Sequence, residues 1–308
     1  MQTLRLGVIG LGNMGKMHAQ WILDGKIPRV TLAAVCDSHA DLCPYEGKAK
    51  LFSDPATLIG SGEIDAVIIA TPHYSHTTLG IAALQNGLHV LCEKPISVHK
   101  ADAQRLIDAH NATPKQVFAA VFNLRTNPLY IKVRELIQNG ELGTIRRINW
   151  VITTWFRTQA YYNSSDWRAT WAGEGGGVLI NQCPHHLDLF QWLFGMPDKV
   201  RAACRFGHYH DIEVEDDVSA FMQYNNGASA VFITSTGETP GTNRLEITAE
   251  RGRVVVEDGK IRWTRNVMPM SEFSQNAPGM FDAMSHWNVE IPVGDSGEGH
   301  VGIVKNFA

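Results

Sequence analysis

The sequence predicts an α/β protein: an N-terminal doubly wound parallel sheet, followed by a C-terminal α+β domain with a mostly antiparallel, open sheet. Up to about residue 123, short apolar runs alternate with helical patterns, which is typical of β–α–β units in a parallel sheet. Beyond that point several β-type runs follow one another. We therefore expect one domain at 1–123 and a second at 124–308.

The composition is that of a globular protein with a sizeable core. The chain has 308 residues, of which 44% are hydrophobic and 19% are charged, and its net charge is −4. This charge and the lack of a basic block argue against a nucleic-acid partner, and the longest apolar runs are too short for a membrane span. The five cysteines are odd in number and show no CxxC pair, so we expect a reducing, cytoplasmic location and no bound metal.

The first predicted strand, at 4–9, leads directly into a glycine-rich turn and a helix that begins at Asn13. The turn carries Gly10, Gly12 and Gly15 in the spacing GxGxxG, which indicates a dinucleotide site when it joins a strand to a helix. The first glycine permits the tight turn, the second lets the backbone approach a pyrophosphate, and the third lets helix and strand pack closely. The start of the helix offers N–H groups to the anion. A turn without a ligand is the alternative.

The second predicted strand, at 30–36, ends at Asp37, 22 residues after Gly15. A carboxylate at this position accepts a hydrogen bond from the adenosine ribose 2′-hydroxyl and repels a 2′-phosphate. Ser38 and His39 follow it, with no arginine beside them to bind that phosphate. The sequence therefore favours NAD over NADP.

Further apolar runs at 65–71, 89–95 and 116–123 predict the remaining strands of the parallel sheet. Ligands of such sheets bind outside the carboxyl ends of the strands. Lys94 lies at one of these ends, where it is either a site residue or an ordinary surface cation.

The stretch 173–195 in the second half combines glycines, an apolar run and polar residues. The apolar run predicts a helix through most of it. On that helix Asn181, His185 and Asp188 would share one face, because they are spaced four and three residues apart. Such a stripe either binds a ligand or consists of satisfied core side chains, since burying it unpaired is costly. Spacing alone does not decide between His185 and His186.

The segments around this helix complete the second domain. The loop 157–171 is rich in aromatic residues and arginine, which suits stacking on a sugar face, although packing against the sheet is the alternative. The turn 225–227 is a hairpin signal, and we interpret the acidic run 213–217 as a solvent-exposed strand entry. The last residues, 300–308, show helical spacing, and we expect the chain to continue past Ala308.

Together these motifs resemble the Gfo/Idh/MocA family, which includes glucose–fructose oxidoreductase and inositol dehydrogenase. The matching segments, in order along nearly the whole chain, are GVIGLGNMG followed by His18, ATPHYSH at 70–76, Glu93-Lys94-Pro95, Trp167-Arg168 and GGGVLINQCPHHLD. The resemblance implies an N-terminal Rossmann domain, a nicotinamide cofactor and a C-terminal sheet domain that often mediates oligomers. We therefore expect a homodimer or homotetramer.

The resemblance also implies a catalytic set of Lys, Asp and His. Lys94 matches the Lys and His185 matches the His, which leaves His186 as a structural residue. Asn181 stands where many members carry Asp, so the chain departs from the family there. The family further implies that Asn123, Trp167 and His300 line the nicotinamide end of the site.

The motifs and the resemblance predict two groups of site residues besides the catalytic ones. Residues predicted to bind the cofactor are Gly10, Gly12, Asn13, Met14, Gly15, Asp37, Thr71, Pro72, His76, Glu93, Lys94, Asn123 and Trp167. Residues predicted to contact the substrate are Arg157, Tyr162, Arg168, Asn181, His185 and His300.

The predicted activity is hydride transfer between NAD and a secondary hydroxyl or ketone of a sugar, glycoside or cyclitol. His185 would take the hydroxyl proton, because an imidazole pKa of about 6.5 suits a general base. Lys94 would donate a hydrogen bond to the same oxygen, and Asn181 would orient the substrate or Lys94. The loop 157–171 shows no fixed anion clamp, which favours a neutral polyol ring.

Two other functions stay open from the sequence. A glycoside-cleaving enzyme would use bound NAD to oxidise the sugar transiently and then eliminate the aglycone. It would need an added base, for which Tyr162 and His186 are available. A dinucleotide-dependent sensor without turnover would have no need of both Lys94 and His185.

Overall fold

The computed structural model consists of two compact units. It describes residues 3–39, 41–294 and 297–308. The first unit comprises the described residues up to Asn123 together with Trp171–Gly175 and Glu298–Ala308, and the second comprises Leu124–Thr170 and the described part of Gly176–Gly297. The chain passes from the first unit to the second after Asn123, and two later segments belong to the first unit.

Six strands form the sheet of the first unit. They are β1 (Leu4–Ile9), β2 (Val30–Cys36), β3 (Lys50–Phe52), β4 (Ala66–Ile69), β5 (His89–Cys92) and β6 (Phe118–Ala120). Their order is β3-β2-β1-β4-β5-β6, and all neighbouring pairs are parallel. This confirms the predicted doubly wound parallel sheet.

Helices cover both faces of this sheet. They are α1 (Asn13–Leu23), α2 (Pro55–Gly60), α3 (His76–Gln85) and α4 (Lys100–Ala112). Successive strand residues belong to different cores: Val8 and Ile68 pack with α1, whereas Ile9 and Ile69 pack with α2, α3 and α4. Because both faces are buried, these strands are continuous apolar runs in the sequence.

Eight strands form the sheet of the second unit. They are β7 (Ile145–Ile152), β8 (Lys199–Phe206), β9 (Glu215–Gln223), β10 (Ser229–Ser235), β11 (Asn243–Ala249), β12 (Gly252–Glu257), β13 (Lys260–Asn266) and β14 (His286–Ile291). Their order is β14-β13-β12-β11-β7-β10-β9-β8. The pair β7–β10 is parallel and the other neighbours are antiparallel, which confirms the predicted mostly antiparallel sheet. The predicted hairpin turn joins β9 to β10.

Helices cover one face of the second sheet. The helices of this unit are α5 (Pro128–Gln138), α6 (Gln159–Tyr162), α7 (Pro184–Phe194) and α8 (Met270–Asn276). Trp150 on β7 and Phe232 on β10 are fully buried, and they pack against Phe190 of α7. Tyr130 of α5 contacts the same Trp150 ring. Phe221 on β9, by contrast, is 42% exposed, so its face of the sheet is open in this chain.

The last helix, α9 (Gly299–Phe307), belongs to the first unit. Val304 is fully buried in the core that α1 also lines, and Val301 and Phe307 pack beside it. The helical spacing of these apolar residues thus reflects burial against the parallel sheet. No helix in the described part of the chain is both long and apolar enough to cross a membrane.

The segment Trp171–Gly175 joins the first unit through backbone carbonyls. The hydroxyl of Tyr74 donates to the carbonyl of Trp171 at 2.7 Å. Nδ1 of His73 lies 2.9 Å from the carbonyl of Glu174. These contacts link the segment to the turn that follows β4, although the segment lies far away in sequence.

His186 lies in the core of the second unit. Its ring makes edge contacts with the indoles of Trp150 and Trp155, with centroids 5.6 and 5.5 Å apart. Its Nδ1 has no hydrogen-bond partner among the described residues. Burial lowers the pKa of His186 to about 4, so the ring is neutral near pH 7.

Replacing Val304 by Asp should destabilise the first unit, because it places an unpaired carboxylate in an apolar core. We expect the free energy of unfolding to fall by roughly 3 kcal/mol or more. Asn306→Asp introduces the same charge on an exposed position of α9 and should change it by less than about 0.5 kcal/mol. Urea unfolding measures both, and equal effects would contradict the burial of Val304.

Replacing His186 by Phe should remove part of the pH dependence of stability. The folded protein keeps His186 neutral down to a pKa of about 4, whereas the unfolded chain takes up this proton near pH 6.5. The unfolded state therefore binds more protons in this window, and the free energy of unfolding falls as the pH is lowered through it. Urea unfolding at several pH values should show a smaller fall for His186→Phe. An equal fall in both proteins would contradict a neutral, buried His186.

Candidate active site

The glycine-rich turn between β1 and α1 is shaped by close backbone contact. A Cβ on Gly15 would lie 1.8 Å from the carbonyl oxygen of Gly10, so only glycine lets α1 pass this close to the turn. Gly12 is the N-cap of α1, and Asn13 and Met14 open its first turn. Because N–H groups of a first turn lack acceptors within the helix, this end suits a pyrophosphate.

Asp37 follows β2 and its carboxylate reaches the glycine-rich turn. Oδ2 accepts a hydrogen bond from the backbone N–H of Leu11 at 2.7 Å, and Oδ1 accepts one from that of His39 at 2.8 Å. The carboxylate is therefore held in one orientation beside the turn. The turn, the helix end and this carboxylate fit a dinucleotide whose ribose carries a free 2′-hydroxyl.

His76 bridges the ends of two neighbouring strands. Its Nε2 lies 2.7 Å from the carbonyl of Thr71, after β4, and its Nδ1 lies 2.7 Å from that of Pro95, after β5. Burial lowers the pKa of His76, and this outweighs the two carbonyls, which raise it. Both ring nitrogens of His76, which we predicted to bind the cofactor, thus lie within hydrogen-bond distance of backbone carbonyls. Pro72, predicted with it, opens the short turn at 73–75 before α3.

A buried contact between a histidine and a carboxylate supports the segment that carries Lys94. Nε2 of His18, on α1, lies 2.8 Å from Oε1 of Glu93, and both side chains are buried. Burial raises the pKa of Glu93. The interactions with His18, and then with His300 and Lys94, lower this pKa by more than burial raises it, so the net shift is downward. Glu93 is therefore a carboxylate, and its Oε2 accepts a hydrogen bond from the backbone N–H of Lys94 at 3.3 Å.

The predicted nicotinamide-end residues Asn123 and His300 lie together in the first unit. Nδ2 of Asn123, after β6, is 3.3 Å from Nδ1 of His300 on α9. The His300 ring stacks on Trp21 and meets His18 edge-on. Burial lowers the pKa of His300, although Glu93 raises it. The C-terminal helix thus brings a predicted site residue beside the contact between His18 and Glu93.

Asn181 does not share a helix with His185, contrary to our prediction. Residues 177–183 form successive turns, and α7 begins at Pro184. Proline suits the first turn of a helix, where its missing N–H costs nothing, and it restricts the residue before it. His185 is buried at the start of α7.

Asp188 on α7 is engaged by an arginine of the same unit. Its carboxylate accepts two hydrogen bonds from Arg125, at 2.7 Å from Nε and 2.6 Å from Nη2. The three residues of the predicted polar stripe therefore lie in different settings. Asn181 lies in a turn, His185 lies at the start of α7, and Asp188 forms a bidentate ion pair.

Tyr161 is the centre of an aromatic and cationic cluster that the sequence analysis missed. Its hydroxyl accepts a hydrogen bond from Nη1 of Arg168 at 2.9 Å, and Nδ2 of Asn181 lies 3.5 Å away. The Arg168 guanidinium lies 4.6 Å from the Tyr161 ring centroid and 4.7 Å from that of Trp167. Arg157 lies 5.1 Å from the Tyr161 ring. Four predicted residues thus gather around an unpredicted one.

Tyr162, which we predicted as a substrate contact, is buried instead. Its hydroxyl donates to Oγ1 of Thr236 at 2.9 Å, and its ring packs against His210. Burial raises the pKa of Tyr162 to about 12. Adjacent loop residues thus lie in different surroundings, with Tyr161 beside Asn181 and Tyr162 against His210.

Three acids of the run 213–217, Glu215, Asp216 and Asp217 at the start of β9, are buried, which corrects our interpretation of a solvent-exposed strand entry; only Glu213, before the strand, is exposed. Asp216 is fully buried, and its carboxylate accepts hydrogen bonds from the backbone N–H groups of residues 208–210. Glu215 accepts two from the segment before α7, and Asp217 pairs with Arg205. The signal for this burial in the sequence was a run of acidic residues at the start of an otherwise apolar strand.

The predicted site residues divide between the two units. Lys94, with Asp37, Asn123 and His300, belongs to the first unit, and Asn181, His185, Arg157, Trp167 and Arg168 belong to the second. The described residues contain no group of three or more His, Cys, Asp or Glu side chains that could hold a metal ion.

Two family models match the chain, one in each unit. "Oxidoreductase family, NAD-binding Rossmann fold" matches residues 4–121, and "GFO/IDH/MocA C-terminal domain" matches residues 130–255. Together the two matches cover most of the chain.

Curated relatives include inositol dehydrogenases. Inositol 2-dehydrogenase of Salmonella paratyphi B is 32% identical over 146 residues, which cover 46% of this chain and 43% of that protein. Myo-inositol 2-dehydrogenase of Thermotoga maritima is 26% identical over 267 residues, or 83% of this chain and 75% of that protein. The chain thus spans less than half the length of the first of these relatives.

A solved structure with the same fold is the WlbA dehydrogenase of Bordetella pertussis, in complex with NADH and UDP-GlcNAcA. It is 28% identical with a TM-score of 0.77, and the match covers 84% of this chain and 79% of that chain. The glycine-rich turn, the parallel strand order and both family matches agree, and the chain belongs to the Gfo/Idh/MocA oxidoreductase family, with an NAD-binding Rossmann fold in its first unit.

Proposed function

We propose that this protein is an NAD-dependent dehydrogenase that oxidises a secondary hydroxyl of a sugar, glycoside or cyclitol, or reduces the matching ketone. The observation that carries the proposal is the first unit's strand-end geometry. Asp37 stands oriented beside the glycine-rich turn, and Lys94 follows a buried carboxylate at the end of β5. The inositol dehydrogenase relatives support the same class of substrate.

Asp37 is the basis for NAD rather than NADP. Backbone N–H groups already bind both of its oxygens, so the carboxylate stands fixed where the adenosine ribose of a bound dinucleotide would lie. Each carboxylate oxygen has a further lone pair for a ribose hydroxyl. A 2′-phosphate would meet this negative charge at close range, which is costly.

We assign the proton-transfer chemistry to three residues. Bound NAD would accept the hydride from the carbinol carbon. His185 takes the hydroxyl proton as general base, and the ammonium group of Lys94 donates a hydrogen bond that stabilises the developing oxyanion. Asn181 orients the substrate through its amide, which cannot supply the negative charge of the Asp that many family members carry.

The cluster around Tyr161 is our proposed binding surface for the ring of the substrate. Trp167 and Tyr161 offer aromatic faces, and Arg168 and Arg157 offer N–H donors to ring hydroxyls. Asn181 lies within 3.5 Å of the Tyr161 hydroxyl, which connects this surface to the proposed catalytic set. A polyol ring with many hydroxyl groups suits these donors.

The redox-assisted glycosidase lacks support from the described residues. The two side chains available as its added base, Tyr162 and His186, are both buried in the second unit. The pKa of Tyr162 is raised to about 12 and that of His186 is lowered to about 4. Neither value suits a base that abstracts a C–H proton near pH 7.

We further propose a homodimer or homotetramer in the cytoplasm. The uncovered face of the second sheet, with Phe221 exposed, supports the oligomer, because exposed large apolar groups on a sheet face favour association. The odd number of cysteines and the lack of a CxxC pair support the reducing compartment.

The protein should reduce NAD, and NADP more slowly, with at least one member of a panel of inositols, aldoses, alkyl glucosides and aryl glycosides. Lys94→Ala should lower kcat by roughly 10²-fold or more, because the oxyanion loses its donor, while the Kd for NAD changes little. Lys100→Ala removes the same charge at the exposed start of α4 and is the control. The assay measures NAD reduction by the absorbance of the reduced nicotinamide, and it also measures the released aglycone.

Aglycone release without net NAD reduction would contradict the dehydrogenase and favour the redox-assisted glycosidase. Tight NAD binding without turnover on any member of the panel would favour the sensor. Equal losses of kcat and of NAD affinity in Lys94→Ala would move Lys94 from catalysis to cofactor binding.

Replacing Asn181 by Asp should move the acid limb of the kcat/KM profile to higher pH. A carboxylate near His185 favours its imidazolium form and raises its pKa, so the general base becomes protonated at a higher pH. Asn163→Asp, on the exposed end of α6, adds the same charge as a control. A profile that Asn181→Asp leaves unmoved would contradict an interaction between Asn181 and the titrating base.

A further inference from the structure

Three consecutive backbone N–H groups before α7 converge on one residue, Glu215. The carboxylate accepts hydrogen bonds from Gly177 at 2.9 Å through Oε2 and from Leu179 at 3.1 Å through Oε1. Between them, the N–H of Val178 donates to the carbonyl oxygen of Glu215 at 2.9 Å. One strand residue thus binds the whole tripeptide.

The contact is close enough to require glycine. A Cβ on Gly177 would lie 1.9 Å from the carbonyl oxygen of Glu215, so any side chain there would push the segment away from β9. Glu215 is buried, and hydrogen bonds to an ionised acceptor are about twice as strong as neutral ones. The segment is therefore attached to the sheet by strong and sterically exclusive contacts.

Hydrogen bonds continue from this tripeptide to the candidate catalytic residues. The carbonyl of Gly177 accepts from the N–H of Asn181 at 3.0 Å, and that of Val178 accepts from the N–H of Cys183 at 2.8 Å. Cys183 is the N-cap of α7, on which His185 is the second residue. Glu215 is thus the anchor of a series of hydrogen bonds that ends at Asn181 and at Cys183, two residues before His185.

We propose that Glu215 is a positioning residue, which holds Asn181 and His185 in the geometry that the substrate requires. This inference rests on the proposed function. The next two acids of the strand act elsewhere, since Asp216 binds the loop 208–210 and Asp217 binds Arg205. Because displacing a reacting group by about 1 Å costs as much as 10²-fold in rate, a loosened anchor should be visible in kcat.

Glu215→Gln is the first test. The amide keeps the size of the side chain but turns one acceptor into an NH₂ donor, which opposes a backbone N–H. We expect kcat to fall by roughly 10²-fold while the Kd for NAD changes less than about twofold. Asp217→Asn removes a neighbouring buried carboxylate from the same strand and should keep kcat within about threefold of wild type.

A double variant separates positioning from general loosening. If Glu215 acts through His185, then Glu215→Gln has little left to disturb once His185 is removed. The double variant should therefore have about the same kcat as His185→Ala alone. Losses that multiply would overturn the proposal. So would a loss of kcat in Asp217→Asn equal to that in Glu215→Gln.

Hydrogen exchange tests the anchor without turnover. In Glu215→Gln the amides of 177–185 should exchange at least about tenfold faster, while those of β10 keep their rates. Unchanged exchange at 177–185 would overturn the proposal. If wild-type protein turns over no substrate, the proposed function fails, and the exchange result still decides whether Glu215 holds the segment.

Glu215→Asp keeps the test decisive if Glu215→Gln does not fold. The shorter carboxylate keeps its charge but cannot reach both N–H groups of the tripeptide, so kcat and exchange should lie between wild type and a broken anchor. Loss of kcat with wild-type exchange at 177–185, or faster exchange with wild-type kcat, would overturn the proposal.

Discussion

Carboxylates that accept backbone N–H hydrogen bonds hold the loops on which the candidate site depends. A carboxylate removed from water must regain its hydrogen bonds within the protein, because leaving a polar group unpaired costs several kcal/mol. Glu215 meets this requirement at the segment before α7 and Asp216 at the loop 208–210, and the half-buried Asp37 accepts the same kind of hydrogen bonds at the glycine-rich turn. Each loop therefore takes its conformation from a side chain on or directly after a strand. The sheets provide rigidity, and the loops carry the polar groups that act on a ligand.

The first unit was predictable because its signals are local in the sequence. The helix α1 begins at the predicted residue and the strand β2 has the predicted bounds, and the glycine spacing and Asp37 stand within one β–α–β unit. Burial on both faces makes each central strand an apolar run of its own, and the short length of these runs favours strands over helices. The strand β3 escaped prediction because three residues are too few to show a period, and its pairing with β2 depends on contacts the sequence does not display.

The site of the second unit was less predictable because its decisive contacts join distant residues. Glu215 binds a segment 38 residues away, and neither partner carries a local pattern that reveals the other. Pro184 did offer a local signal for the start of α7, but the apolar run before it suggested an earlier start. Tyr161 and Tyr162 are adjacent in a loop, where no period separates a buried ring from one beside Asn181. The family resemblance pointed to His185 and could not supply these contacts.

The C-terminal helix α9 contributes to the surroundings of Glu93 in the first unit. Burial disfavours the charge of this carboxylate, and His18, His300 and Lys94 restore it by lowering the pKa. His300 comes from α9, which is held on the unit by the buried side chain of Val304. The same helix thus covers one face of the parallel sheet and brings a polar neighbour to the segment that carries Lys94. Because burial lowers the pKa of His300 itself, α9 contributes to this segment through its packing and through the hydrogen bond between His300 and Asn123.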